Sequence, residues 1–111
     1  LLGLLNAIEV GPRSSVLVPP GTLHAIGEGV LLAEVQQPED LSILVEWEGF
    51  AIDGAAQGHL GLGFDVALGA VDTRALTGPD LDALVRHDIP PGPALPAAAD
   101  RWFRLDRVGD G

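Results

Sequence analysis

The chain has 111 residues, of which 16 are acidic and 6 basic, for a formal net charge of −10. There is no lysine, and the acids are spread along the whole length, so no basic patch exists to neutralise nucleic-acid phosphates. The absence of cysteine excludes disulfides and thiolate metal sites.

The length suits one ordinary domain. A hydrophobic content of 47% supplies material for a core, although a chain this short buries a smaller share of its surface than a large domain does. There is no methionine and residue 1 is Leu, so the expectation is a processed product or a portion of a longer polypeptide.

Leu1 to Ala7 reads as a helix tail, with Leu1, Leu4, Leu5 and Ile8 on one side. It is far too short to span a bilayer, which takes about 20 residues, and it has no signal-peptide pattern. A soluble, cytoplasmic protein with no membrane partner is the expectation. Glu9-Val10 opens a strand and Gly11-Pro12 turns the chain. Ser14 to Val18 is the next strand, stopped by Pro19-Pro20-Gly21, because proline cannot donate to a ladder. Gly21 suits a position of positive φ. Leu23 to Ile26 is a short strand carrying His24, followed by a turn at Gly27-Glu28-Gly29.

Val30 to Gln36 and Leu41 to Trp47 are apolar, β-branched runs separated by the loop Pro38-Glu39-Asp40; both predict strands. Residues 48–62 are Gly-rich and read as an irregular connection containing His59. Phe64, Ala67, Leu68 and Val71 fall at helical spacing. A second helix starts at Thr77 as N-cap, with Pro79 and Asp80 in its first turn and Leu81, Leu84 and Val85 as its apolar face. His87 to Ala99 holds four prolines in thirteen residues, an extended linker by composition. Arg101 to Val108 reads as a strand that needs partners. No internal repeat is evident.

The chemistry centres on residues 18–37, VPPGTLHAIGEGVLLAEVQQ. A tight turn that delivers one imidazole to the mouth of a sheet is a common way to place a metal ligand. Taken alone, His24 is more often a histidine hydrogen-bonded at a turn. Glu34 at a strand end is ordinarily exposed or paired with arginine. Gln36 alternates with Glu34 and shares its face, whereas Gln37 and Asp40 fall on the other face or in the loop. His59 and His87 read as solvated. Trp47, Phe50, Trp102 and Phe103 read as packing residues, although Trp47 and Phe50 also have the chemistry to stack on a sugar.

The turn Pro19-x-Gly21-x2-His24 resembles the second motif of the cupin barrels, with Glu28 where that motif has asparagine and Gly11 too far upstream to match its glycine. Residues 18–47, VPPGTLHAIGEGVLLAEVQQPEDLSILVEW, are similar to the "vPaGtpHAig.Gvli.EiQqsSDtTyRvyDw" segment of the type I mannose-6-phosphate isomerases. Val18, Pro19, Gly21, Thr22, His24, Ala25, Gly27, Gly29, Glu34, Gln36, Gln37 and Asp40 carry most of that likeness. It continues more weakly over residues 9–75 and 100–108.

The resemblance implies a mainly β fold: the C-terminal portion of a cupin-type double-stranded β-helix (a jelly-roll barrel), with a short helical segment near residues 63–86. Residues 1–50 would be barrel strands and residues 51–99 a helical connection with a Pro-rich linker. Residues 100–111 would be a strand pairing back onto the barrel or opening a second sheet. The implied activity is metal-dependent isomerisation of mannose 6-phosphate to fructose 6-phosphate, with a phosphosugar as substrate.

By the same resemblance His24 is a ligand of Zn2+ or another divalent metal. The family's other ligands, a Gln-x-His pair and a Glu, would come from an upstream segment or another subunit, such as a homodimer partner. Glu34 is either the base for proton transfer or the acceptor that holds the His24 tautomer, and Gln36 contacts substrate. One departure stands out: the family's arginine position is Leu44 here, and no arginine lies between Arg13 and Arg74. A non-catalytic cupin module that binds a metal or sugar is therefore the alternative, with a structural barrel that dimerises through its sheet as a third reading.

Overall fold

The computed structural model describes residues 1–109, which divide into two compact units. Unit 1 is Leu1–Leu5 with Gly21–Asp72, and unit 2 is Asn6–Pro20 with Thr73–Gly111. No helix among the described residues is long and apolar enough to cross a membrane.

In unit 2, β1 (Ser15–Val16) pairs antiparallel with β2 (Val85–Arg86), with Ser15 opposite Arg86 and Val16 opposite Val85. The Leu17 N–H donates to the Leu84 carbonyl (2.9 Å) and the Ile89 N–H to the Arg13 carbonyl (3.0 Å), lengthening the contact beyond the formal strands. The Gly11 turn closes as its residue types predict, with the Ser14 N–H on the Gly11 carbonyl and the Ser14 Oγ accepting from the Gly11 N–H.

α3 (Gly78–Leu84) leads directly into β2. It begins with a capping box in which Thr77 donates to the Asp80 carboxylate from both its backbone N–H (2.8 Å) and its hydroxyl (2.7 Å). The pairing satisfies a donor that the helix itself leaves open. The Thr77 hydroxyl, then its N–H, and to a lesser degree the Arg74 charge hold the Asp80 carboxyl below the usual Asp range.

β3 (Gly92–Pro93) pairs antiparallel with β4 (Asp106–Arg107), extended by the Ala94 N–H on the Leu105 carbonyl. The proline-rich stretch that composition marks as a linker is thus the packed part of unit 2. Ile89, Ala94 and Ala99 are buried there, and Ala97–Ala99 forms a 3-10 turn. Arg86 Nη1 donates to the Pro93 and Leu95 carbonyls, and Ser15 Oγ donates to the Ala94 carbonyl, so polar side chains of the first ladder collect the carbonyls of this stretch. The prolines fix an extended backbone whose carbonyls stay free to accept.

In unit 1, Leu2–Leu4 is a 3-10 turn. α1 (Gly54–Gln57) lies inside the Gly-rich stretch that the residue types suggest is irregular. Asp53 caps it, accepting from the Ala56 N–H at 3.1 Å. Its glycines are contacts rather than punctuation. A Cβ on Gly54 would lie 2.0 Å from Trp47 Cδ2, and one on Gly58 would lie 2.7 Å from the Leu44 carbonyl oxygen. The four-residue spacing puts both on one helix face, which lets the 44–47 backbone approach closely. α2 (Phe64–Ala67) starts at the first residue of the apolar spacing and continues as a 3-10 turn, Leu68–Ala70, with Ala67 buried.

The runs 30–36 and 41–47 have strand composition, yet neither enters a ladder among the described residues. Burial still alternates along 42–48, with Ile43, Val45 and Trp47 half-buried and Ser42, Leu44 and Glu46 exposed. That period of two is the pattern of a strand with one covered face.

Candidate functional site

Gly21 sets the entry to the site. Its φ is +80°, its carbonyl accepts from the Asp72 N–H at 2.9 Å, and a Cβ there would lie 2.5 Å from the Ala70 carbonyl oxygen. Only glycine meets both demands without strain. The Pro-Pro-Gly turn therefore ends against residues 70–72 and releases Thr22 and His24 in a defined direction.

His24 is exposed, and its Nδ1 lies 2.9 Å from the Thr22 carbonyl oxygen. A carbonyl only accepts, so Nδ1 carries the hydrogen, and in the neutral ring Nε2 bears the lone pair. That is the tautomer in which histidine commonly binds a metal, with the far nitrogen held by a carbonyl or carboxylate. One of the two roles considered for Glu34, holding this ring from behind, is filled here by Thr22.

Glu34 and Gln36 are both exposed and directly joined, with Gln36 Nε2 donating to Glu34 Oε1 at 2.8 Å. The contact puts the carboxylate and the amide on one side of the chain, as their alternation requires. Leu44 donates its N–H to the Gly58 carbonyl (2.8 Å) and keeps its side chain 37% exposed. Unit 1 contains no arginine; all six lie in unit 2.

The aromatic residues divide. Trp47 stacks on Phe64 (5.8 Å between centroids, 18° between planes) and lies against Gly54, so the ring is packed on protein. Phe50 is 75% exposed. Trp102, expected in a core, is largely exposed with the Arg101 guanidinium 4.3 Å from its ring centre.

His59, expected to be solvated, is half-buried: the Gly63 N–H donates to its Nδ1 (3.1 Å) and the ring meets Phe64 edge-on. The four-residue step from His59 to Gly63, just before a helix, was the signal that could have found it. His87 is exposed, with Nδ1 3.3 Å from Ser14 Oγ, and with Glu9, Leu81 and Asp82 it lines an open cavity of about 280 Å³ in unit 2.

Among the described residues, no group of three or more His, Asp or Glu side chains is placed to hold a metal ion. A catalytic zinc site takes three protein ligands and an open position. His24 fits the chemistry of one such ligand, and the described residues do not supply the set.

The chain is similar, over short stretches, to mannose-6-phosphate isomerases. "Probable mannose-6-phosphate isomerase GmuF" of Bacillus subtilis (strain 168) is 44% identical over 43 residues, covering 39% of this chain. Mannose-6-phosphate isomerase ManA of the same organism is 49% identical over 37 residues, covering 33% of this chain. The matched stretches span 14% and 12% of the lengths of these two relatives. No family model matches the chain, and no solved structure does.

Proposed function

We propose that the chain is the His24-bearing segment of a metal-dependent aldose–ketose isomerase resembling mannose-6-phosphate isomerase, converting mannose 6-phosphate to fructose 6-phosphate. In this reading residues 22–47 run as strands of a cupin-type barrel. The observation that carries it is the His24 ring, with Nδ1 engaged by the Thr22 carbonyl and Nε2 left open in the P-x-G-x2-H turn. The short similarity to two Bacillus subtilis isomerases supports it.

Zinc, when bound, would supply Lewis-acid chemistry to this reaction; His24 would be one of its ligands, and the others would come from another segment or subunit. Glu34 is the base. Its carboxylate takes the proton from C2 of the aldose and delivers it to C1 of the resulting enediol(ate), while the O2 hydroxyl proton passes to O1 to leave the C2 carbonyl of the ketose, a transfer that suits a positioned carboxylate. Gln36, hydrogen-bonded to Glu34, keeps that carboxylate oriented and offers its remaining amide groups to sugar hydroxyls.

Leu44 favours a second reading, a cupin module that binds a metal or sugar without isomerising it. A graft separates the two. Residues 18–47 of this chain replace the corresponding segment of ManA, and zinc content and isomerisation of mannose 6-phosphate are measured. An active, zinc-loaded chimera that loses zinc on His24→Ala and turnover on Glu34→Gln supports the enzyme. A zinc-loaded chimera whose activity returns only with Leu44→Arg supports the binding module. A chimera that folds yet holds no zinc refutes the role of His24.

A further inference from the structure

The turn that carries His24 is braced by a distant segment of the same unit. The Asp72 N–H donates to the Gly21 carbonyl at 2.9 Å. Gly21 also lies so close to this segment that an added Cβ would be 2.5 Å from the Ala70 carbonyl oxygen and 3.2 Å from the Asp72 nitrogen. A hydrogen bond and a close approach thus fix the Gly21 backbone together. The Gly21 carbonyl and the Thr22 N–H share one planar peptide, so pinning that carbonyl pins the start of Thr22. Thr22 is half-buried, and its own carbonyl accepts from His24 Nδ1. Only the two backbone dihedrals of Thr22 separate the brace from the carbonyl that the imidazole uses.

The brace has a firm base. Residues 68–70 form a 3-10 turn closed by the Val71 N–H on the Leu68 carbonyl (3.2 Å). That turn continues α2, whose Ala67 is buried and whose first residue, Phe64, meets the rings of Trp47 and His59. The aromatic cluster seats α2, α2 leads into the 70–72 backbone, and that backbone meets Gly21.

We propose that Asp72 is a positioning residue for His24. Its backbone N–H, acting through Gly21 and Thr22, selects the Nδ1–H tautomer and so keeps the Nε2 lone pair for a metal. A free neutral imidazole favours the other tautomer, in which Nε2 carries the hydrogen and has no lone pair to give. A fixed carbonyl behind Nδ1 reverses that preference, and loss of such an outer partner typically costs about 10–100-fold in metal affinity. The proposal deepens the isomerase reading and rests on it for the use of the open nitrogen, whereas the tautomer itself belongs to the metal-free chain.

The test reads the His24 tautomer by long-range proton–nitrogen correlation in the full 15N-labelled chain, without metal, at about pH 8, above the ordinary histidine range. Wild type is expected to show Nδ1 protonated and Nε2 bare. Asp72→Pro removes the N–H and the carboxylate, whereas Asp72→Ala removes the carboxylate alone. Proline is compatible with the backbone here, because Val71, at φ −75° and ψ 127°, already has the extended form that precedes it. Asp72→Pro should lose the Nδ1–H signature, with Nε2–H becoming the larger share, and Asp72→Ala should keep the wild-type signature. Gly21→Ala strains the same contact from the other side and should behave as Asp72→Pro does.

Three results would each overturn the proposal. The first is a wild-type ring with Nε2 protonated. The second is an Nδ1–H ring that survives in a folded Asp72→Pro chain or, where that variant does not fold, in Gly21→Ala. The third is an Asp72→Ala ring that shifts as far as the Asp72→Pro ring. A graft of residues 18–47 that holds no zinc would remove the isomerase reading and leave the tautomer result standing, so the two fail separately.

Discussion

Gly54→Ala tests whether Trp47 is seated on α1. Non-bonded carbons rest about 3.5–4.0 Å apart, whereas a Cβ at this position would lie 2.0, 2.3 and 2.4 Å from Trp47 Cδ2, Cε3 and Cγ. The indole must retreat by about 1.5 Å. The indole also stacks on Phe64 at 5.8 Å between centroids, so moving it disturbs a second ring. Overpacking of this kind costs about 1–3 kcal/mol, and a rigid, stacked neighbour belongs at the upper end. Alanine recovers about 1 kcal/mol of helix propensity over glycine. The net expectation is a loss of about 2 kcal/mol, roughly thirtyfold in the folding equilibrium.

Gly69→Ala is the control. It has open space at its Cβ position and no positive φ, and should stabilise by about 0.4–1 kcal/mol. The assay is urea unfolding followed by far-ultraviolet circular dichroism, and by Trp47 emission in a Trp102→Phe background. If Gly54→Ala raises the midpoint as Gly69→Ala does, the Trp47–Gly54 contact does not exist in solution and the account of the Gly-rich stretch fails.

Gly21→Ala meets both a φ of +80° and the Ala70 carbonyl oxygen at 2.5 Å; it should lower the urea midpoint by the equivalent of about 1–3 kcal/mol, and an unchanged midpoint would contradict the turn geometry. Ile89→Ala empties a buried position of unit 2 and should cost about 2–5 kcal/mol, while Leu31→Ala, at a fully exposed side chain, should stay within about 0.5 kcal/mol. Equal effects in thermal melts would sink the assignment of the Pro-rich segment to the packed part of unit 2. Thr77→Ala removes a capping-box hydroxyl and should destabilise α3 by about 1 kcal/mol, read as faster amide exchange in its first turn.

The same box gives a pH dependence. The folded Asp80 carboxyl lies below its ordinary value, so its contribution is complete above the unfolded value of about 3.9 and is lost as pH falls through the lower folded one. Wild-type α3 should therefore lose protection in acid more steeply than the Asp80→Asn variant, and parallel profiles for the two would refute the linkage.

Signals that act over one to four residues were legible before any coordinates. The turn at Pro20-Gly21, the turn at Glu28-Gly29, the Thr77 cap and the helix beginning at Phe64 all appear at their residues. Each is decided by backbone sterics or a nearby hydrogen bond, which the residue types alone specify. The alternation of Glu34 with Gln36 put them on one face in the same way, whereas their hydrogen bond and the contact of His24 with the Thr22 carbonyl came only from the fold.

Pairing across the chain was decided elsewhere. Nothing local to Ser15 names Arg86 as its partner, and nothing local to Pro93 names Asp106. The proline-rich stretch resembles a linker by composition, yet it is packed because distant side chains, Arg86 and Ser15, take up its carbonyls. Gly54 and Gly58 resemble loop glycines until Trp47 and Leu44 lie against them. Residues 30–36 show the converse: strand composition states a preference, but a ladder exists only where a second strand supplies the other half of each hydrogen bond.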